Sequence, residues 1–300
     1  MNDPKISVVM PVWNGERYLR EAVESILNQT FREFEFIILD DGSTDRTPEI
    51  LAEFAARDSR VRVIRLAHEG IVIALNRGVA EAKAQWIARM DADDVARPER
   101  LARQWEALRN NPEAVLCHTH IHIIGDPKYV TPAGRFIRTK ALLALRLCFQ
   151  CPIVHPTVIF SKAAFIECGG YVPEERHAED YGLWGRLLMM GEVIGCAEPL
   201  LDFRVHADSI SKIKSDTQQA ITQKVAVRHC SNFMNLDEAT ALRAYHVFRS
   251  DFPGNPLRKW LWFTLCCLPR MRWKSLEMWA WVGVRTKQII LKSKPTIESR

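Results

Sequence analysis

Trp86-Ile-Ala-Arg-Met-Asp-Ala-Asp-Asp94 joins a short, mostly apolar run to three closely spaced carboxylates. The apolar part predicts a buried strand, and Asp91, Asp93 and Asp94 follow where this strand ends. Carboxylates this close repel one another, and oxygen ligands suit hard divalent ions such as Mg²⁺ or Mn²⁺, which in turn bind phosphates. The alternative is an acidic turn that caps the next helix, since Asp is also a good turn and N-cap residue.

Strand and helix patterns alternate on both sides of this stretch. Apolar runs that stop at turn-forming residues predict strands, and apolar residues spaced along one helical face predict the helices between them. The predicted strands cover residues 6–12, 34–39, 61–66 and 86–90, and the predicted helices cover residues 19–27, 47–56, 71–82 and 98–109. This alternation is typical of an α/β fold with a doubly wound, mostly parallel sheet flanked by helices.

The carboxyl ends of the predicted strands are polar or acidic at three places, residues 11–14, 40–41 and 91–94. Ligands bind at this edge of such sheets, and parallel strands project these ends to one side. Their convergence favours a binding site over a simple acidic turn. Neither a G-x-G-x-x-G after the first strand nor a G-x-x-x-x-G-K-[ST] is present, so the sequence predicts no dinucleotide fingerprint and no P-loop.

The middle of the chain carries His118, His120 and His122 in alternation. On a strand they share one face, so a transition-metal site is one interpretation, and an edge strand with solvated or hydrogen-bonded histidines is the favoured one. Further strands are predicted over residues 153–160 and 200–205. A helix predicted over residues 178–190 carries two acids in its first turn, where the helix dipole favours them.

Eight motifs occur in order over about residues 5–211, two thirds of the chain. They are Ser7-Val-Val-Met-Pro-Val-Trp-Asn-Gly15, Ser25-Ile-Leu-Asn-Gln-Thr-Phe31, Ile37-Ile-Leu-Asp-Asp-Gly-Ser-Thr-Asp45, Ala88-Arg-Met-Asp-Ala-Asp-Asp94, Pro98-Glu-Arg-Leu101, His155-Pro-Thr-Val-Ile-Phe160, Glu179-Asp-Tyr-Gly-Leu-Trp184 and Phe203-Arg-Val-His206. In this order and spacing the chain resembles family 2 glycosyltransferases of the bacterial polysaccharide and lipopolysaccharide type.

The resemblance implies a GT-A fold, a nucleotide-sugar donor (a UDP-sugar by family frequency), Mn²⁺ or Mg²⁺, and inversion at the anomeric carbon. It also implies roles for nine residues. The donor pocket is formed by Pro11, Asn14, Asp41, Asn76, Asp91 and Ala92; Asp93 is the main metal ligand, with His206 near the metal or the diphosphate; and Asp180 is the catalytic base. At Ala74-Leu75-Asn76 the chain departs from the many relatives that have Lys or Arg before this Asn.

The expected reaction is transfer of a hexose to a hydroxyl of a saccharide or lipid-linked acceptor in cell-surface glycan synthesis. It needs a metal to stabilise the leaving diphosphate and a base to accept the hydroxyl proton, but no enzyme nucleophile. The alternative is a catalytically inactive, transferase-like membrane scaffold. Such a protein is expected to lose Asp93 or Asp180, and both are present.

The C-terminal segment differs in composition from the rest. Residues 257–300 contain ten Lys or Arg and two Glu, so they carry a formal charge of +8 in a chain of +5. Five of the nine tryptophans lie there, namely Trp260, Trp262, Trp273, Trp279 and Trp281. We expect residues 257–291 to lie on an anionic membrane surface, and a helical pair packed on the catalytic domain is the alternative. The tryptophans lie among aliphatic residues, so no nucleic-acid partner is expected.

These patterns predict a catalytic domain over residues 1–211, with a nucleotide-sugar half to about 115 and an acceptor half from about 116, and a helical region over residues 212–300. The chain has no apolar run of 18 residues, and its polar N-terminus predicts no signal peptide. We therefore expect a cytoplasmic protein that is peripheral on the inner face of the cell membrane. The eight scattered cysteines predict reduced, mostly buried thiols.

Overall fold

The structure is a computed structural model that describes residues 3–125, 137, 139–206, 216–249, 260–272, 278–280 and 282–283. The described residues form eight strands, β1 (Ile6–Val12), β2 (Phe34–Asp40), β3 (Val61–Arg65), β4 (Trp86–Arg89), β5 (Val95–Ala96), β6 (Ala114–Gly125), β7 (Ile159–Ser161) and β8 (Glu192–Val205). Their helices are α1 (Leu19–Leu27), α2 (Thr47–Arg57), α3 (Ile71–Glu81), α4 (Arg100–Arg109), α5 (Lys140–Leu147), α6 (Lys162–Glu167), α7 (Glu179–Met190), α8 (Asp216–Met234) and α9 (Glu238–Arg249).

The strands form one sheet in the order β3-β2-β1-β4-β7-β6-β8-β5. The pairs β1–β2, β1–β4, β2–β3 and β6–β8 are parallel, whereas β7 is antiparallel to both of its neighbours and β5 is antiparallel to β8. The predicted α/β fold, with a mostly parallel sheet flanked by helices, is therefore confirmed. Because β1, β2 and β4 are parallel neighbours, their carboxyl ends lie along one edge of the sheet.

Close packing of helix on sheet fixes the N-terminal half. The strands β1 and β2 are almost entirely buried, and the apolar face of α1 is buried through Leu19, Ala22, Val23 and Ile26. Gly78 lets α3 approach the sheet, because a Cβ there would lie 2.5 Å from Val9 Cγ1 and 2.9 Å from Leu39 Cδ2. This burial pattern explains why the apolar periodicity of the N-terminal half predicts all of its elements except β5 to within two residues.

Two predictions about the second half are wrong. The segment 153–160 is not a continuous strand: His155–Thr157 form a 3-10 turn and only β7 follows, because Pro156 has no N–H to donate to a neighbouring strand. β6 is not an edge strand, since it pairs with β7 and β8. His118 on β6 is buried, and burial lowers its pKa to about 4.

The second half also contains elements that the sequence did not indicate. β8 begins at Glu192, eight residues before the predicted strand, and irregular pairing with β6 around Thr119 and His120 accommodates the extra length. The helices α5 and α6 were not predicted either, and in the first half the two-residue β5 was missed.

The chain divides into two compact units, Met1–Phe136 with Ile153–Ser215, and Ile137–Pro152 with Asp216–Arg300. In the second unit Cys230 Sγ donates to the carbonyl of Cys148 at 3.3 Å, and Phe263 stacks on Trp260. No helix among the described residues is long and apolar enough to span a membrane. About half of the predicted membrane segment 257–291 lies outside the described residues, and membrane binding by this segment stays a prediction.

Candidate active site

Three carboxylates gather in the turn after β4, residues 91–94, which we call the acidic turn. One carboxylate oxygen from each of Asp91, Asp93 and Asp94 lies within 4.8 Å of the others, and this is the only such group of possible metal ligands among the described residues. The predicted alternative of a histidine metal site on β6 therefore has no support in this part of the chain.

The three carboxylates have different surroundings. Asp91 forms an ion pair with the buried Arg89 guanidinium. Asp94 is buried; its Oδ1 accepts a hydrogen bond from the backbone N–H of Arg204 at 2.8 Å, and its Oδ2 has no hydrogen-bond partner among the described residues. Asp93 is more open, with about a third of its side chain exposed, and its Oδ2 lies 3.0 Å from His206 Nε2.

The acidic turn is electrostatically strained. Burial raises the pKa of Asp91, and repulsion from Asp93 adds to this effect against the opposing ion pair with Arg89. Burial, followed by repulsion from Asp91 and Asp93, holds the pKa of Asp94 well above its usual range. A divalent cation would relieve this repulsion and would give Asp94 Oδ2 a partner, so the residues present fit a hard metal ion.

The last residues of β8 contact the acidic turn, although β7 and β6 separate β8 from β4 in the sheet. Arg204 donates from Nε to the carbonyl of Asp93 at 2.7 Å, in addition to its backbone bond to Asp94. Its guanidinium also donates to Glu21 Oε2 at 2.5 Å and lies 4.6 Å above the Tyr18 ring. Sequence reasoning assigned His206 to this site but missed Arg204, although both lie in the motif Phe203-Arg-Val-His206.

A second cluster surrounds Asp41 at the end of β2. Asp41 is buried, and its two carboxylate oxygens accept hydrogen bonds from the backbone N–H groups of Glu69 at 2.7 Å and Gly70 at 2.9 Å, just before α3. His68 Nδ1 lies 3.1 Å from the carbonyl oxygen of Asp41, and the His68 ring packs at a tilt against Trp13, with the ring centroids 4.7 Å apart. Trp13 is 55% exposed, so an open aromatic surface adjoins this carboxylate. Sequence reasoning assigned no role to Trp13 or His68.

Asn14 shapes the loop beside this cluster. Asn14 has a left-handed backbone (φ 50°), its Oδ1 accepts from the N–H of Thr44 at 2.9 Å, and its own N–H donates to Ser43 Oγ at 2.9 Å. Pro11 is half-buried on β1 opposite Leu39. The structure thus places Pro11, Asn14 and Asp41 together where β1 and β2 end.

Two further predicted donor-pocket residues have different neighbours. The half-buried Ala92 is close to the loop after β1, since a Cβ on Gly15 would lie 3.8 Å from its methyl group. The side chain of Asn76 bonds the backbone of Tyr171, donating to its carbonyl at 2.8 Å and accepting from its N–H at 3.1 Å. This use of Asn76 ties α3 to the turn before α7, and a contact with a donor stays a prediction.

Asp180 lies in the first turn of α7 and is half-buried. Its neighbour Glu179 is buried and accepts from the N–H of His177 at 2.6 Å. Burial raises the pKa of Tyr171 well above its usual range; Arg89 opposes this, while Asp180, Glu179 and Asp91 add to it. Acids in the first turn of α7 and in the acidic turn therefore both raise the pKa of this buried phenol.

A buried network connects Tyr171 further to α7. Its hydroxyl lies 2.8 Å from His155 Nε2, and the His155 ring meets the edge of Trp184 on α7. Burial, with a smaller effect from Arg89, holds the pKa of His155 well below its usual range. These contacts connect α7, through Trp184, to Tyr171 and His155, and the buried Arg89 affects the pKa of both of these residues.

Comparison with known proteins agrees with this architecture. The family model described as "Glycosyl transferase family 2" matches residues 7–169. The O-antigen biosynthesis glycosyltransferase WbnJ of Escherichia coli is 32% identical over 224 residues, which cover 69% of this chain and 82% of that protein.

Two solved structures share the fold. TarS of S. aureus in complex with UDP-GlcNAc superposes with a TM-score of 0.67 at 17% identity, covering 97% of this chain and 82% of that one. The mannosyltransferase PcManGT of Pyrobaculum calidifontis, in complex with GDP-Man and Mn²⁺, gives a TM-score of 0.60 at 15% identity, covering 97% and 81%. At these identities the likeness shows the fold alone, and the predicted GT-A class is confirmed.

Proposed function

This chain belongs to glycosyl transferase family 2 and is a glycosyltransferase, and from this premise we propose a specific reaction for it. It moves a hexose, with inversion, from a nucleoside-diphosphate-sugar to a hydroxyl of a saccharide or lipid-linked acceptor in cell-surface glycan synthesis. UDP-hexose is the expected donor. The observation that carries the proposal is the acidic turn, with three converging carboxylate oxygens and the buried Asp94 Oδ2, to which no described residue donates a hydrogen bond.

We propose that Asp93, Asp94 and His206 hold a Mn²⁺ or Mg²⁺ ion, with Asp91 beside it near the donor ribose. The ion supplies Lewis-acid stabilisation of the charge that develops on the leaving diphosphate. Asp93 is the most accessible of the three carboxylates, and His206 Nε2 already lies 3.0 Å from its Oδ2. The acid–imidazole pair thus presents two neighbouring ligand atoms on the open side of the turn.

The cluster around Asp41 is the proposed site of the nucleotide base, with Pro11 and Asn14 in the same pocket. A carboxylate has about four acceptor positions on its two oxygens, so the two backbone bonds to Asp41 leave acceptor capacity for a base N–H. The exposed Trp13 ring, supported from one side by His68, offers a stacking surface next to this carboxylate.

Asp180 is the proposed general base. It accepts the proton of the attacking hydroxyl while the acceptor oxygen bonds to the anomeric carbon and the bond from that carbon to the diphosphate breaks. Its support is electrostatic: Asp180 and Asp91 both raise the pKa of the buried Tyr171, so the proposed base and the acidic turn act on the same phenol. One displacement with no covalent enzyme intermediate inverts the anomeric centre.

The experiment is a panel of UDP-, GDP- and dTDP-sugars incubated with the full chain and Mn²⁺, read out as donor turnover and as thermal shift. We expect one donor to stabilise the protein and to be turned over only with metal. The Asp180→Asn variant is the matched control, since it should keep the thermal shift and lose transfer. Stabilisation without turnover of any donor and acceptor mixture would favour the inactive scaffold.

We further propose that residues 257–291 bind the anionic inner leaflet and present the enzyme to a lipid-linked acceptor. The described part of this segment exposes Leu261 (47%) and Leu265 (72%) next to a chain rich in Lys and Arg. Flotation with phosphatidylglycerol vesicles tests this, with a Leu261→Ser/Leu265→Ser variant expected to bind less. Equal, negligible flotation of both proteins would contradict the proposal.

A further inference from the structure

We propose that Arg204 is a positioning residue that fixes the acidic turn in the shape that binds the metal. The inference rests on the proposed metal role of the turn, but it concerns a residue outside the predicted ligand set. The Arg204 side chain contacts Asp93 of the turn and two residues at the start of α1, so it connects β8, the acidic turn and α1. The bond to Asp94 comes from the backbone N–H of Arg204 and remains in any side-chain variant.

Arg204 constrains the turn through groups that a metal does not need. Its Nε holds the carbonyl of Asp93 at 2.7 Å, and its backbone N–H holds Asp94 Oδ1 at 2.8 Å. Both bonds leave Asp93 Oδ2 next to His206 and leave Asp94 Oδ2 without a bond among the described residues. The oxygens that remain are the ones that can converge on an ion.

The guanidinium is itself held on two further sides. Glu21 Oε2 accepts from Nη2 at 2.5 Å, and the Tyr18 ring lies 4.6 Å below the guanidinium carbon. The Tyr18 ring also lies 5.2 Å from the His206 ring, so the same support borders both β8 side chains. The planar guanidinium of arginine can donate to a carbonyl and a carboxylate while it stacks on an aromatic ring. The ammonium of lysine is a point charge without this geometry.

A positioning role and a charge role of Arg204 have opposite effects on the affinity for Mn²⁺, so measurements on Arg204 variants can distinguish them. Arg204 is a cation beside the proposed metal, so its charge alone would oppose binding of Mn²⁺. If Arg204 only supplied charge, the neutral Arg204→Met variant would bind Mn²⁺ more tightly and Arg204→Lys would bind it unchanged. A positioning role predicts weaker binding in both variants, by about tenfold or more, as is typical when a residue that orients metal ligands is removed.

The test measures binding of Mn²⁺ to the full chain with UDP present, from the electron paramagnetic resonance signal of free Mn²⁺, without turnover. The matched control is Arg97→Ala. Arg97, directly after β5, also bonds β8, through Nε and Nη2 to Asp202 Oδ1 at 3.1 and 3.0 Å, and among the described residues its side chain has no hydrogen bond to the acidic turn. We expect the Kd for Mn²⁺ to rise only in the two Arg204 variants.

Steady-state kinetics give a second readout. In Arg204→Lys, saturating Mn²⁺ should restore most of kcat, because the ligands themselves are intact. Unchanged or tighter Mn²⁺ binding in both Arg204 variants would overturn the proposal. If these variants do not fold, Glu21→Gln decides: it loosens the guanidinium and should raise the Kd by a few-fold, whereas wild-type affinity rejects the positioning role.

A separate variant distinguishes this inference from the proposed function. Asp93→Asn should lose Mn²⁺ whatever the role of Arg204. If Asp93→Asn keeps wild-type affinity, the proposed metal site fails. If it loses affinity while the Arg204 variants keep theirs, the metal site stands and only the positioning role is rejected.

Discussion

His206 Nε2 lies 3.0 Å from Asp93 Oδ2, although 113 residues separate the two in sequence. Asp93 follows β4, and His206 follows β8. The strand β8 pairs in parallel with β6 and antiparallel with β5, and these pairings bring its end to the acidic turn. β5 begins directly after the turn at Val95 and pairs with Asp202 on β8. The short β5 therefore brings the end of β8 to the acidic turn.

The first prediction concerns this pair. Asp93→Asn should remove the most accessible carboxylate of the turn and lower kcat by about 10²-fold or more, since Lewis-acid stabilisation contributes several kcal/mol. His206→Ala should have a smaller effect, because one ligand of several is lost. Transfer assays over a Mn²⁺ series measure both. Asp202→Asn, which changes a β8 carboxylate bound to Arg97, should keep wild-type dependence on Mn²⁺; equal losses in Asp202→Asn would contradict the assignment.

The second prediction concerns Asp180. Asp180→Asn should lower kcat by roughly 10²–10⁴-fold, the usual contribution of a general base, while the Kd of the donor stays near wild type. The half-exposed position of Asp180 in the first turn of α7 predicts little change in stability. Donor binding is measured by calorimetry and transfer by product formation. A variant with full activity would exclude Asp180 as the base.

The third prediction concerns the aromatic surface beside Asp41. Trp13→Ala should weaken binding of the free nucleoside diphosphate by about tenfold, since stacking of a base on an aromatic ring contributes about 1–3 kcal/mol. Because Trp13 is 55% exposed, the unfolding midpoint should change little. Ile73→Ala is a control for loss of an exposed apolar side chain, as Ile73 is 44% exposed on α3. Equal nucleotide affinity in both variants would remove Trp13 from the site.

The fourth prediction concerns the contact of α3 with the sheet. Gly78→Ala places a methyl group within 3 Å of Val9 and Leu39 side-chain carbons, which α3 can accommodate only by moving outward. Overpacking of this kind costs about 1–3 kcal/mol, so the free energy of unfolding in urea should fall by that amount. Arg77→Ala, on the exposed side of the same helix, should stay within about 0.5 kcal/mol of wild type. Gly78→Ala with wild-type stability would contradict the packing argument.

Apart from the two-residue β5, the sequence predicted the elements up to α4 closely, because each apolar run there is buried and ends at turn-forming residues. It predicted the second half less well, where pairing of distant segments decides the structure. β8 contains Glu192, Gly195 and Pro199, which are poor strand residues, and it is a strand because β6 provides its partner. The acids of the turn were visible in sequence, whereas the contacts of Arg204 exist only after β5 and β8 have paired.

The last prediction is a pH dependence that arises from His118. Burial lowers the pKa of His118 to about 4, against about 6.5 for an unfolded chain. Above pH 6.5 the ring is neutral in both states and the shift costs nothing. As the pH falls from 6.5 towards 4, the unfolded chain binds a proton that the folded chain does not, so the free energy of unfolding falls by up to about 3 kcal/mol. The half-buried His155, whose pKa is also lowered, acts in the same direction.

Urea unfolding at pH 7 and pH 4.5 separates this effect from the titration of the carboxylates. His118→Gln removes the titrating ring, so it should lose less stability than wild type between the two pH values. The exposed His122→Gln on the same strand is the control and should follow wild type. Both buffers are compared without metal, since protonation of the acidic turn changes metal binding as well. Parallel losses of stability in wild type and His118→Gln would show that the His118 ring does not stay neutral in the folded protein.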